Sequence, residues 1–175
     1  MWLLLDWIPS LIITSKMMGI IPLALPPPYD IVDWVPINWA AADIAKISAQ
    51  VVTRAPGPEN CLTVLHMVNS KSAPWSIIAK AVQEVVGYDK IRGVEYEHWL
   101  EQLQIQSHNA QDTSIMDTHP AVRLLELFEE MGARAEEPVL EFLNHNAKSM
   151  APLLSRIPAV NQESLLLMWV RELTA

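Results

Sequence analysis

The stretch Ile31-Val-Asp-Trp-Val-Pro-Ile37 decides the fold class, because a short apolar run of this kind is typical of a strand buried on both faces, as in a parallel sheet. Asn38 follows it and has a side chain that can cap a helix, with Asp43 near the first helical turn. From Ile44 onward, apolar residues recur on one face. A buried strand followed at once by an amphipathic helix predicts an α/β unit.

The same order occurs a second time further along the chain. Leu62 to Val68 is predicted to be another buried strand, and Ser72-Ala-Pro74 is predicted to open a helix that ends at Gly87. A short strand is expected at Val94 to Tyr96. The apolar face of the predicted helix between Pro74 and Gly87 consists of Trp75, Ile78, Val82 and Val85. The sequence therefore predicts an α/β fold with two or three parallel strands.

The segments around these units are predicted to be mainly helical. Residues 6–19 form an apolar helix that ends at Gly19, and Pro22 and Pro26-Pro-Pro28 exclude regular structure after it. A polar loop is expected from about 105 to 118. Further helices are expected at about 122–132, 147–154 and 163–173. Strands with helices, followed by a helical tail, indicate an α/β protein with a C-terminal helical subdomain.

Composition excludes several classes of protein. The chain has 175 residues, of which 51% are hydrophobic and 18% charged, which is typical of a globular protein with a real core. Its net charge is −8 and it has no basic stripe, so nucleic acid is not an expected partner. The single cysteine, Cys61, is expected to be a small buried hydrophobe, and five separated histidines predict no metal site.

The apolar N-terminal residues are not expected to enter a membrane. Asp6 and Lys16 interrupt the apolar stretch, and a membrane span needs about 20 mostly apolar residues. Without an intrachain disulfide the protein suits a reducing compartment, so a cytoplasmic location is expected. We expect the helix that starts near Asp6 to pack instead against the turn from Trp34 to Trp39.

Four stretches in order carry a family resemblance. They are Asp6-Trp-Ile-Pro-Ser-Leu-Ile-Ile-Thr-Ser15, Val32-Asp-Trp-Val-Pro-Ile-Asn38, His66-Met-Val-Asn-Ser70 with Ala73-Pro-Trp75 after it, and His119-Pro-Ala-Val-Arg-Leu-Leu125. Together they resemble the C-terminal part of thioester reductase domains, which are extended short-chain dehydrogenase/reductases. Such domains end many fungal nonribosomal-peptide-synthetase-like enzymes and polyketide synthases. The chain departs from the family at Asn38, where Asp is usual, and at Ser70, where Pro is usual.

The resemblance implies a fold, a reaction and a set of pocket residues. It implies one partial domain over residues 1–175, with the end of a Rossmann-like sheet in 1–70 and a mainly helical substrate subdomain in 71–175. In the complete family member NADPH reduces a carrier-bound acyl thioester in secondary metabolism. The expected partners are a phosphopantetheinyl carrier protein or the missing N-terminal reductase half. The substrate-binding residues it implies are Trp7, Ser10, Trp34, Asn38, Trp39 and His66.

The residues that bind the cofactor and transfer the proton in this family are absent from the chain. Its five glycines do not form the Gly-x-x-Gly-x-x-Gly turn that binds the pyrophosphate. None of the three tyrosines has a lysine four positions after it, since Asp33, Arg92 and Leu100 stand there. No catalytic or cofactor-binding residue is therefore predicted, and the chain alone is expected to bind no NADPH.

Three interpretations of the sequence remain open. The chain is a reductase fragment that is not active alone, a non-catalytic interaction module that docks a biosynthetic reductase or carrier protein, or an independent enzyme with an unrecognised site. Strands Ile31–Ile37 and Leu62–Val68 would lack sheet neighbours, so self-association through an exposed apolar edge is also expected.

Overall fold

The computed structural model describes residues 6–53, 64–108, 114–134, 145–150, 154–159 and 163–174. These residues are mostly helical with a short parallel sheet, so the predicted α/β class is confirmed. The elements in chain order are α1 (Trp7–Met18), β1 (Ile20–Pro22), β2 (Ile31–Val32), α2 (Ile37–Thr53), β3 (Ala73–Pro74), α3 (Trp75–Val86), β4 (Arg92–Val94), α4 (Tyr96–His108), α5 (Ser114–Thr118), a 3₁₀ helix (Pro120–Leu124), α6 (Leu125–Ala133), α7 (His145–Met150), a second 3₁₀ helix (Leu154–Arg156) and α8 (Glu163–Thr174).

The chain divides into two compact units. Unit 1 comprises Met1–Ile31, Pro74–Val139 and Asn161–Ala175, and unit 2 comprises Val32–Ala73 and Leu140–Val160. Each unit is therefore built from segments that are distant in sequence. The single domain with a division near residue 70 that the resemblance implied stays a prediction.

A parallel strand pair lies at the centre of unit 1. β1 pairs with β4 in the register Ile20 to Arg92, Ile21 to Gly93 and Pro22 to Val94. The expected strand at 94–96 therefore lies two residues earlier, and the expectation that Pro22 excludes regular structure is wrong. Pro22 is the last residue of β1, and its carbonyl accepts a hydrogen bond from Nε1 of Trp75 at 2.9 Å. In the described sheet β1 pairs with β4 alone, and an edge strand accommodates a residue that lacks the N–H group.

Helix α1 ends where the sequence predicted. Gly19 follows it in the left-handed conformation, with φ of 70°, and its N–H donates to the carbonyl of Ser15. Glycine adopts this conformation without the steric cost that a Cβ atom imposes. The end of α1 thus leads directly into β1.

The core of unit 1 contains three large aromatic side chains. Helix α3 packs against α8, and α4 packs against α6. Trp75, Trp99 and Phe128 are each fully buried, and the last two rings meet edge to face with centroids 5.1 Å apart. On α3 the predicted apolar face is confirmed at Trp75, Ile78 and Val82, whereas Val85 is half-buried.

The expectation of a polar loop from about 105 to 118 is wrong for the residues that the structure describes. Helix α4 continues to His108, and Ser114–Thr118 forms α5, while residues 109–113 lie outside the described residues. Burial of Trp99 and Leu103 on one face holds α4 in place despite its polar end. The expected helix at 122–132 is also divided into the 3₁₀ helix and α6.

The strands predicted at Ile31–Ile37 and Leu62–Val68 are not formed as expected by the residues that the structure describes. Of the run Ile31–Ile37, only Ile31 and Val32 form a strand, and α2 already begins at Ile37. Pro36 has no N–H group to donate to a sheet, which limits the run. Residues 64–68 have no regular structure, and Cys61, Leu62 and Thr63 lie outside the described residues. The expected apolar sheet edge is therefore not formed by the described residues of these runs, and self-association stays a prediction.

Among the described helices, none is long and apolar enough to cross a lipid bilayer. Helix α1 belongs to unit 1, and the turn from Trp34 to Trp39 belongs to unit 2. The expected packing of one against the other stays a prediction.

Candidate functional site

Four of the six residues predicted to bind substrate lie in unit 2. They are Trp34, Asn38, Trp39 and His66, and the other two, Trp7 and Ser10, lie on α1 in unit 1. Trp34, Trp39 and His66 are half-buried, whereas Asn38 is exposed. Unit 2 is therefore the part of the chain in which most of the predicted site can be described from its geometry.

Asn69 is a hydrogen-bonded hub that fixes the backbone around Trp34. Its side chain Nδ2 donates to the carbonyl of Trp34 at 3.2 Å and to the carbonyl of Pro158 at 2.9 Å. Its backbone N–H donates to the carbonyl of Asp33 at 2.9 Å. The residue is 3% exposed, so these bonds form away from water. Asn69 thereby joins three separate segments of unit 2.

Lys71 extends this network. Its backbone N–H donates to Oδ1 of Asn69 at 3.0 Å, and its Nζ donates to the carbonyl of Ile157 at 3.0 Å. A buried asparagine amide has both donor and acceptor capacity to satisfy. Through its bonds to both carbonyls, Asn69 holds the backbone of Asp33 and Trp34 in one arrangement.

An apolar cluster lies beside this network in the same unit. Residues that pack against its buried centre of Ala147, Leu154 and Ile157 include Trp39. The full set of partly buried neighbours is Val35, Trp39, Ile47, Leu65 and Met67. The cluster offers apolar surface, and the Asn69 hub offers fixed carbonyl groups, which is the combination that small-molecule sites use.

The start of α2 is two residues earlier than predicted. The carbonyl of Pro36 accepts from the N–H groups of Trp39 at 3.0 Å and Ala40 at 3.1 Å, so Pro36 takes the position expected for Asn38. Asn38 is the second residue of the helix and faces solvent. The assignment of Asn38 as the cap is therefore wrong, while its role in binding substrate stays a prediction.

Asp43 is placed differently from the expectation. It was expected near the first turn of α2, but the first turn contains no acidic residue. Asp43 lies further along the helix and is fully buried. Neither Oδ1 nor Oδ2 has a hydrogen-bond partner in the part of the chain that the structure describes.

The two predicted site residues of unit 1 have mainly structural surroundings. Trp7 is half-buried, and its ring meets that of Tyr29 edge to face, with centroids 6.1 Å apart. Ser10 is fully buried, and its backbone N–H donates to the carbonyl of Asp6 at 3.1 Å. Trp7 contacts another aromatic ring and Ser10 is part of the helical backbone, and their role in binding substrate stays a prediction.

Two ionisable groups of unit 1 have shifted pKa values. Burial, followed by the charge of Glu97, raises the pKa of Tyr96 well above its usual value, and the phenol donates to the carbonyl of Phe128 at 2.7 Å. Burial lowers the pKa of His119, whose Nδ1 lies 2.9 Å from Oγ1 of Thr118. The tyrosine shift accompanies a structural hydrogen bond, so it does not by itself indicate a reactive group.

Asn69 and Asp43 were not among the predicted site residues. Asn69 follows an apolar run and is part of the quoted stretch His66-Met-Val-Asn-Ser70, which was a usable signal. Its bonds to Trp34 and Pro158 join positions 35 and 89 residues away, and a single sequence gives no indication of such pairings. The burial of Asp43 has no sequence signal, since Asp is rarely found fully buried.

The chain is related to reductases. A carboxylic acid reductase from Neurospora crassa is 30% identical over 128 residues, which covers 73% of this chain. An adenylate-forming reductase, Nps10, from Heterobasidion annosum is 28% identical over 130 residues and also covers 73%. A second one, Nps9, from Serpula lacrymans var. lacrymans is 23% identical over an alignment of 187 positions that covers 97%. No family profile matches the chain.

These relatives confirm the resemblance that the four quoted stretches indicated. All three are named as reductases, two of them of the adenylate-forming kind, which is consistent with a thioester-reductase-like domain. The chain spans only 12%, 10% and 16% of the lengths of these relatives, respectively. The similarity thus concerns a small part of each larger protein.

Proposed function

We propose that the chain is the substrate-binding C-terminal portion of an NADPH-dependent thioester reductase that acts on carrier-protein-bound acyl thioesters in secondary metabolism. The observation that carries the proposal is the alignment of most of the chain with relatives named as reductases. NADPH would be bound by the complete protein, because the chain itself has neither the glycine turn nor the Tyr-x-x-x-Lys pair. On this proposal the chain binds and orients the acyl group and is not active alone.

Unit 2 supports this role through its geometry. The Asn69 hub holds the carbonyl of Trp34, and Trp39 packs on the apolar cluster of Ala147, Leu154 and Ile157. An acyl chain needs apolar contacts along its length, and the amide N–H groups of the pantetheine arm need fixed acceptors such as the carbonyl of Trp34. Unit 2 provides groups of both kinds.

A titration of the full chain with an acyl thioester of pantetheine tests the proposal. Calorimetry should detect binding of the thioester, and Trp34→Phe should weaken it because the substitution alters the aromatic surface beside the hub. Trp169→Phe on α8 of unit 1 is the matched control and should leave the affinity unchanged. Absence of thioester binding by the folded wild-type chain contradicts the proposal.

A parallel titration with NADPH tests the assignment of the cofactor to another part of the protein. We expect no measurable binding, since the backbone turn that approaches the pyrophosphate is absent from the sequence. An intact NADPH-dependent short-chain reductase measured under the same conditions is the positive control. Micromolar affinity of the chain for NADPH would show that the cofactor site was misassigned.

A second candidate function is favoured by the outer face of α2. Ile37 is 86% exposed and Ile44 is 53% exposed, and residues seven apart lie on the same side of a helix. Such a face supports a non-catalytic interaction module that docks a biosynthetic reductase or a carrier protein. The double substitution Ile37→Ser and Ile44→Ser should abolish carrier binding and leave binding of the free pantetheine thioester intact. Equal loss of both would contradict a separate docking role.

A further inference from the structure

Asp43 lies on the face of α2 that packs into unit 2. Trp39 precedes it by four residues and Ile47 follows it by four, and residues with this spacing share one face of a helix. Both neighbours pack against the apolar cluster of Ala147, Leu154 and Ile157. The carboxylate of Asp43, which is fully buried, therefore emerges between two side chains that contact apolar surface.

The carboxylate of Asp43 lacks a hydrogen-bond partner among the described residues. Both of its oxygens are buried without a hydrogen-bond partner there. The side-chain donors of the nearby network are used elsewhere, since Nδ2 of Asn69 donates to two carbonyls and Nζ of Lys71 donates to the carbonyl of Ile157. A buried charge without a partner is strongly unfavourable, and a hydrogen-bond donor of opposite charge would offset this cost.

We propose that Asp43 binds a primary ammonium group carried on an apolar chain. This inference rests on the proposed function, in which it makes amino-substituted acyl thioesters the substrate class. Two open oxygens suit a group with several donors and a positive charge, and an ammonium group has three donors. A hydroxyl group has one donor and no charge, so it would leave one oxygen unpaired.

The neighbours of Asp43 fit the two parts of such a ligand. Trp39 lies one turn away on the same face, and an indole ring favours a cation that approaches its face. Ile47 on the other side suits the methylene chain that carries the ammonium group. Within the described residues no group of three carboxylate, histidine or cysteine side chains exists, so a metal ion would lack its usual ligand set.

Burial of Asp43 also predicts how binding proceeds. The carboxylate is closed to solvent, so a ligand reaches it only when the surrounding groups move. Once the surrounding groups have closed over it, a bound ligand stabilises the folded unit 2 by mass action and reduces the population of opened states. Binding should therefore slow amide hydrogen exchange in α2.

The test uses the full chain with hexylammonium as the probe and hexanol as its neutral counterpart. Hexylammonium should raise the melting temperature and slow exchange of amides in α2, and hexanol should not. D43N should weaken hexylammonium binding by about tenfold or more, because a charge-assisted hydrogen bond is lost. E84Q removes an equal charge from an exposed position on α3 and should bind as the wild type does.

Three results overturn the inference: no response of the wild-type chain to hexylammonium, an equal response to hexanol, or an unchanged affinity of D43N. Circular dichroism verifies that D43N is folded, and D43A serves as a second variant with the same expected loss. The hexanoyl thioester of pantetheine, which has no amino group on its acyl chain, separates this inference from the proposed function. Binding of that thioester without any effect of hexylammonium would refute the ammonium site and leave the proposed function standing.

Discussion

Two buried polar side chains of unit 1 are hydrogen-bonded to other elements, whereas one buried polar side chain of unit 2, that of Asp43, is unpaired among the described residues. In unit 1, Oγ1 of Thr14 accepts from the backbone N–H of Ala121 at 3.0 Å, and Oγ of Ser15 accepts from Nε1 of Trp99 at 2.9 Å. In unit 2, Asp43 is equally buried, but its oxygens have no partner within the described residues. Satisfied polar groups tie elements together, whereas an unsatisfied carboxylate lowers stability until a ligand or partner arrives.

The described cores of the two units also differ in the size of their buried side chains. Among the described residues, the fully buried centre of unit 1 includes large aromatic side chains, and the buried cluster of unit 2 is small and aliphatic. The residues compared are Trp75, Trp99 and Phe128 in unit 1 with Ala147, Leu154 and Ile157 in unit 2. Because stabilisation grows with buried apolar area, unit 1 is expected to be the more stable scaffold and unit 2 the more adaptable part.

The largest effect is expected from Trp99→Ala in unit 1. The side chain is fully buried, contacts Phe128 edge to face and donates to Ser15, so its loss creates a cavity and leaves a buried hydroxyl without its donor. Chemical denaturation should show a loss of about 3–5 kcal/mol in the free energy of unfolding. Trp7→Ala is the matched control and should cost less, because Trp7 is only half-buried. Equal costs would contradict the burial difference between the two positions.

A smaller loss is expected from Asn69→Ala in unit 2. The substitution leaves the carbonyls of Trp34 and Pro158 and the N–H of Lys71 without their side-chain partner. Buried groups left unpaired in this way cost about 1–3 kcal/mol, and amide exchange around Trp34 should accelerate. Asn38→Ala, at an exposed position, should change stability by much less. A stable Asn69→Ala chain with unaltered exchange would show that the hub does not hold the Trp34 segment.

An increase in the free energy of unfolding, rather than a loss, is expected for Asp43→Asn in the absence of ligand. Replacing a buried uncompensated carboxylate by a neutral side chain of similar shape should raise the free energy of unfolding by about 1 kcal/mol. Thermal unfolding by circular dichroism measures the change, with Glu84→Gln as the exposed control. A clear loss of stability would mean that Asp43 already has a partner in the protein, and the contrast between the units would then disappear.

Local patterns in the sequence were sufficient where one short segment determines the outcome. The end of α1 follows from Gly19, whose left-handed backbone favours glycine, and the buried face of α3 follows from the spacing of Trp75, Ile78 and Val82. The family resemblance was also readable, because the order of several short stretches is retained. These features need no knowledge of distant contacts.

Features that depend on long-range partners could not be predicted. A run such as Ile31–Ile37 has the composition of a buried strand, yet strand length depends on which neighbour is available, and only Ile31 and Val32 form one. Pro22 ends a strand because β4 and Trp75 meet it from positions far along the chain. For the site, the hub at Asn69 and the burial of Asp43 arise from tertiary packing that no spacing encodes.

The smallest effect is expected from Tyr96→Phe, which tests the satisfied polar core of unit 1. The phenol donates to the carbonyl of Phe128 at 2.7 Å, and its removal should cost about 0.5–1.5 kcal/mol at neutral pH. Burial raises the pKa of Tyr96 above its ordinary value of 10.0, so the unfolded chain releases this proton first. The stability linked to Tyr96 should therefore be complete below pH 10 and decline as the pH rises further. Denaturation of the wild type and Tyr96→Phe from pH 7 to above 10 should show a difference that shrinks with rising pH, whereas a constant difference would contradict the buried, neutral phenol.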